Sequence, residues 1–122
     1  MAKLSEECKK LISEIHPGII ATADKKGKPN LSAKGSFRVL DDEHVVFAEA
    51  RSPRTMANLK QNPQVSALVL DSGTRKGCRI WGTAEVLTSG ELFDQMNKEF
   101  AARKIKFNAV VKMKVEDAQA EP

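Results

Sequence analysis

The sequence predicts a mainly β domain, an antiparallel barrel of six strands with short α-helices at its edges. Three observations carry that reading. Two stretches, LSAKGSFRV at 31 to 39 and CRIWGTAEVL at 78 to 87, alternate apolar with mostly polar residues at the period of two that a strand with one buried face requires. Runs of strand length recur between short polar turns from Gly18 to Val115. Helical spacing is confined to three short segments, and closing the sheet into a barrel hides the edges such a chain would otherwise expose.

The elements follow in order. Leu4, Cys8, Leu11, Ile12 and Ile15 form one helical stripe, with Ser5 as N-cap, Glu6 and Glu7 in the first turn and His16-Pro17-Gly18 as the stop. GIIATAD, residues 18 to 24, reads as a strand, KKGK as its turn, and residues 29 to 40 as a second, long strand. Its alternation puts Leu31, Ala33, Gly35, Phe37 and Val39 inside and Ser32, Lys34, Ser36 and Arg38 outside. After the turn Asp41-Asp42-Glu43 come a third strand at 44 to 50, a helix from Pro53 to about Asn62 and a fourth strand at 64 to 70.

The loop SGTRKG leads to a fifth strand with Cys78, Ile80, Gly82, Ala84 and Val86 on one face and Arg79, Trp81, Thr83 and Glu85 on the other. Gly35, Gly82 and Ala84 are small enough for tight bends or close approach. Thr88 and Glu91 have capping-box spacing before a helix whose apolar face is Leu92, Phe93, Met96 and Phe100. A sixth strand runs from Phe107 to Val115, and residues from about 116 to 122 read as a frayed tail.

Length and composition bound the function. The 122 residues suit one domain, and 41% hydrophobic against 30% charged residues is a globular balance. A net charge of +4 without a long basic run fits an anionic ligand better than a nucleic-acid coating. The first residues lack the apolar core of a signal peptide, and no run approaches the ~18 apolar residues of a membrane span, so a cytoplasmic protein is expected. Cys8 and Cys78 are read as two buried thiols, and His16 and His44 as isolated histidines, so no metal is expected.

The candidate site starts at Ser52-Pro53. Serine can accept from the free amides of a helix start, and proline lacks the N–H that would go unbonded there. Arg54 and Thr55 follow, a cation and a hydroxyl where acids are the ordinary choice. An anion bound between helix amides and guanidinium explains them, making a phosphate cradle. A capped surface helix whose Arg54 reaches a carboxylate explains them too. Ser32 and Lys34, sharing one face of the second strand, could add a hydroxyl and a charge to the same anion, or Lys34 could be a solvated barrel lysine.

The order helix, GIIATADKKGKPNLSAKGSFRVLDDEHVVFAEARSPRTMANL, RIWGTAEVL and short helix resembles the pyridoxamine 5'-phosphate oxidase-like family of FMN-binding split barrels over residues 5 to 115. It is most similar to the small single-domain bacterial FMN-binding proteins. The specific parts are the third strand running into SPRTMANL and the I-x-G-x-A element at Ile80, Gly82 and Ala84. The resemblance implies a homodimer with one FMN per subunit at the interface. Arg54, Thr55 and Ser32 would then contact the phosphate, Lys34 would lie near phosphate or ring, and the backbone of Phe47, Ala48, Glu49 and Ala50 would run beside the ring. Asn58 would brace the helix.

Trp81 has outward parity, which suggests an interface; it would seal the dimer or cover the partner's flavin. The chain lacks the further C-terminal segment of true pyridoxamine phosphate oxidases, which argues against vitamin oxidation. No carboxylate, His or Cys is paired for acid/base or nucleophilic work, so no catalytic residue is assigned and any redox chemistry belongs to the flavin. The expected function is an FMN flavoprotein, a small oxidoreductase or an electron carrier. The alternatives are a non-catalytic nucleic-acid-binding barrel using KKGK, Arg38, Lys112 and Lys114, or a related barrel holding haem or a deazaflavin. Nucleic-acid binding is disfavoured, because such barrels pair basic grooves with stacking aromatics and Trp81 is essentially the one outward aromatic.

Overall fold

The computed structural model describes residues 3 to 121. In chain order the elements are α1 Glu6–Glu14, β1 Gly18–Ala23, β2 Pro29–Lys34, β3 Arg38–Asp41, β4 His44–Glu49, α2 Pro53–Gln61, β5 Gln64–Leu70, β6 Gly77–Leu87, α3 Glu91–Ala101 and β7 Ala109–Glu121. The strands form one antiparallel sheet in the order β2-β1-β5-β6-β7-β4-β3.

That order explains the closure. β2 and β3 lie at opposite edges of the sheet, yet only Gly35, Ser36 and Phe37 join them. Three residues cannot cross a flat seven-stranded sheet whose strands sit about 4.8 Å apart, so the sheet curls until its edges meet. The expected second strand is therefore two strands, and the sheet has seven rather than six. Ser36 stitches the bend, its Oγ accepting the Ala48 N–H at 2.8 Å.

The bend also overturns the expected parity of β2. Leu31 is 69% exposed and Ala33 is exposed, whereas Lys34 is buried and Ser32 half-buried. The reason is that α2 packs on the face of the β1–β2 hairpin that carries Ser32 and Lys34, leaving the Leu31 face uncovered. Phe37, beyond the bend, does enter the core.

The main core fills the barrel with Ile20, Phe37, Val45, Phe47, Ala67, Ile80 and Met113; α1 adds Cys8, Leu11 and Ile12, and Leu4 joins them from just before its cap. Ser5 caps α1 by accepting from the Cys8 N–H at 3.1 Å, as its sequence requires. A second cluster lies outside the barrel, where Met96 and Phe100 of α3 meet Val46, Ala48, Phe107 and Val110. β4 is thus buried on both faces, which is why HVVFA is apolar without alternation.

Three further expectations are corrected. Thr88 and Glu91 form no capping box, since β6 stays paired through Leu87 and α3 starts after Gly90 at φ 101°. The tail is not frayed through its described part, because Asp117 to Glu121 pair with Trp81 to Gly77 and complete the long β6; Pro122 lies outside the described residues. Cys8 and Cys78 are not separate thiols but a disulfide with Cα atoms 5.5 Å apart, since α1 packs against β6. The spacing of 70 residues conceals that proximity, and such a bond is uncommon in a reducing cytoplasm. Among the described residues no helix is long and apolar enough to cross a membrane.

Candidate functional site

The site is built around the start of α2. Pro53 at the first helical position and the buried Thr55, Asn58 and Leu59 set a short amphipathic helix against β1 and β2. Two side-chain bonds fix its pitch. Thr55 Oγ1 donates to Ser32 Oγ at 3.1 Å, and Asn58 Nδ2 donates to Thr22 Oγ1 at 3.1 Å. Asn58 therefore acts as the expected brace, while the fully buried Thr55 and the half-buried Ser32 share one hydroxyl–hydroxyl bond beside the first turn.

Ser52 does not cap the helix. Its hydroxyl donates to Glu49 Oε1 and accepts from Lys34 Nζ at 2.5 Å, and its backbone N–H donates to Glu49 Oε2 at 2.9 Å. Among the described residues no side chain caps the first turn of α2, and that turn contains no acid. The positive end of the helix keeps its attraction for an anion. Arg54 is exposed next to it and lines a cavity of about 190 Å³ with Asp24, Lys28, Asn30 and Asn58.

Lys34 is neither solvated nor free. Its Nζ donates to Glu49 Oε1 at 2.6 Å and lies 5.7 Å from the centre of the Phe47 ring; Lys34 is 7% and Glu49 2% exposed. Burial pushes the Glu49 carboxyl up, but the bonds from Lys34 and Ser52 outweigh burial and hold it below the ordinary Glu value. The result is a compact neutral cluster of ammonium, carboxylate and hydroxyl under the β4–α2 turn.

Two grooves flank this cluster. One, of about 580 Å³, runs along Glu49, Ala50, Arg51, Ser52, Met56 and Asn108; the other, of about 240 Å³, is bounded by Lys34, Ser36, Ala48, Ala50 and Arg51, with Phe100, Ile105 and Phe107 as an apolar wall. The structure thus gathers Ser32, Lys34, Ala48, Glu49, Ala50, Arg54 and Thr55 around the start of α2. The Phe47 side chain is fully buried in the barrel, where its ring underlies the Lys34 ammonium without lining either groove. The site offers charge-assisted, hydroxyl and backbone donors beside an apolar wall, suited to an anion joined to a flat apolar body.

Trp81 is elsewhere. It sits half-buried on β6 in one row with Ser66, Ala21 and Leu31 across four strands, on the uncovered face of the sheet. Sequence reading missed the Glu49 side chain, Arg51 and the Phe100–Phe107 wall. A charged residue closing a doubly buried run was the available signal for Glu49. Nothing local announces the wall, because α3 is placed by long-range packing.

The family model described as pyridoxamine 5'-phosphate oxidase matches residues 4–120. An uncharacterised protein of Methanocaldococcus jannaschii is 38% identical over 94 residues, 75% of this chain; the chain spans 61% of that relative's length. Among solved structures, the Group A Streptococcus protein HupZ superposes with a TM-score of 0.89 at 30% identity, over 96% of this chain and 93% of that one. An FMN-binding protein from Syntrophomonas wolfei shares the fold with a TM-score of 0.83 at 20% identity, over 94% and 84% of the chains. HutZ, the heme storage protein from Vibrio cholerae, does so at 0.76 and 23%, over 99% and 96%. With its family model matched over nearly its whole length and the curled sheet in common, the chain belongs to the pyridoxamine 5'-phosphate oxidase family.

Proposed function

We propose that the protein is an FMN-binding flavoprotein, a small oxidoreductase or electron carrier that works as a homodimer with one FMN per subunit. The observation that carries this reading is the start of α2, where side-chain-free amides, the exposed Arg54 and the Thr55–Ser32 hydroxyl pair converge. Those groups would hold the phosphate, and the groove along Ala48 and Ala50, walled by Phe100, Ile105 and Phe107, suits an apolar ring. When bound, FMN supplies one- and two-electron chemistry, while the chain orients the cofactor and sets its electrostatic surroundings.

The homodimer is supported by the row Leu31, Ala21, Ser66, Trp81 and its neighbour Ala33, Ile19, Leu68, which leave apolar surface on one side of the sheet. A second copy would cover it. The haem reading draws on the heme storage neighbour, but His44 lies at the far end of β4 from Glu49, bonded to Asp41, and His16 follows α1.

The absorbance spectrum of the purified protein separates a flavin from a haem. Titrating ligand-free protein with FMN and with riboflavin then tests the phosphate cradle. Arg54→Ala removes a charge-assisted bond and is expected to weaken FMN roughly ten- to a hundredfold, leaving riboflavin nearly unchanged. Equal losses for both ligands would refute the assignment of Arg54 to the phosphate.

A further inference from the structure

Three groups at the cofactor site satisfy one another instead of waiting for a ligand. Lys34 Nζ is 2.6 Å from Glu49 Oε1 and 2.5 Å from Ser52 Oγ, the Ser52 hydroxyl donates to the same Glu49 oxygen, and the Ser52 N–H donates to Oε2. Both charged side chains are more than nine-tenths buried. A carboxylate here is costly for a pocket that must take an anion, since it cancels the nearby cation and repels the incoming charge. Yet Glu49 sits three residues before Ser52, holding the Ser52 amide and hydroxyl that an external anion would otherwise claim.

We propose that Glu49 is a specificity-determining residue of the anion pocket, an internal counter-ion that withdraws Lys34 and Ser52 from the phosphate and leaves it to Arg54, Thr55, Ser32 and the α2 amides. The pocket is thereby tuned to a weaker grip on phosphate than its count of donors implies. Lys34 works through Glu49, as part of a neutral unit that shapes the β4–α2 turn, and not as a net phosphate ligand. This inference rests on the phosphate reading above.

The test compares dissociation constants of FMN and riboflavin, by quenching of flavin fluorescence, in the full chain and three variants. Glu49→Gln frees the ammonium and is expected to raise the FMN-over-riboflavin preference about tenfold, in line with one added charge-assisted bond. The pair Lys34→Met with Glu49→Gln removes both charges and is expected to restore the parental preference within about threefold, because a buried ion pair can be exchanged for neutral groups without loss. Lys34→Met alone leaves the carboxylate uncompensated and is expected to lower the preference about tenfold or more.

The double variant keeps the question open to refutation if Glu49→Gln fails to fold. A tenfold loss of preference in the double variant would make Lys34 a direct phosphate ligand and overturn the proposal. An unchanged or lower preference in folded Glu49→Gln would do the same. If the parent itself binds FMN no better than riboflavin, it is the phosphate reading that falls.

Discussion

Gly82 on β6 gives the sharpest test of the fold. A Cβ built there would lie 1.9 Å from the Lys114 carbonyl oxygen and 2.9 Å from its carbon on β7, where real Cβ contacts essentially never fall below 3.0 Å. The neighbour is backbone, so no rotamer change relieves the clash. β6 and β7 must part by ~1 Å, and an N–H···O bond stretched that far lies outside bonding geometry. The place is already irregular, the register skipping Glu116 as Trp81 pairs with Asp117 and Gly82 with Val115. Losing one or two ladder bonds at about 1 kcal/mol each and stranding a carbonyl at about 1–3 kcal/mol makes Gly82→Ala cost ~3 kcal/mol. With an unfolding entropy of roughly 2.1 cal/mol/K per residue, that is a fall of about 12 °C in melting temperature for a chain of this length. Urea and thermal melts by circular dichroism measure it. Gly35→Ala is the control, since nothing lies within 4 Å of its Cβ position; it should change stability by no more than about 1 kcal/mol. A Gly82→Ala melting point within about 2 °C of the parent would refute the close β6–β7 approach.

Replacing Cys8 and Cys78 together by Ser opens a loop of 70 residues and is expected to lower unfolding stability by about 4 kcal/mol on the chain-entropy account, with reductant acting on the parent in the same direction. An unchanged urea midpoint in both experiments would mean that the two sulfurs are not bonded in solution. Leu31→Glu places a charge on the uncovered row with Ala21, Ser66 and Trp81; light scattering at low micromolar concentration should show a dimeric parent and a monomeric variant. A variant that remains dimeric would put the interface on another face.

What the sequence determined by itself was whatever depends on neighbours within a few residues. Ser5 before Glu6-Glu7 set the start of α1, Pro53 set the first residue of α2, and the alternation from Cys78 to Leu87 set both faces of β6. The pairing of Arg54 with Thr55 was legible for the same reason, since a helix start that carries a cation and lacks acids is a local electrostatic statement, whereas Ser32, 23 residues from Thr55, joins them through tertiary packing. Tertiary structure alone decided which face of β2 is buried, because α2 packs on Ser32 and Lys34 and so overrides the apolar alternation that points Leu31 and Ala33 inward. It also decided that Cys8 meets Cys78, that Asp117 to Glu121 continue a strand, and that Phe100 and Phe107 wall the groove. Lys34 shows the difference most clearly. Its period-two position identified the strand face it shares with Ser32, but its state as one half of a buried ion pair depends on Glu49, fifteen residues away and brought close only by closure of the barrel. A side chain's charge is written in the sequence, whereas what neutralises it is set by contacts that local spacing does not encode.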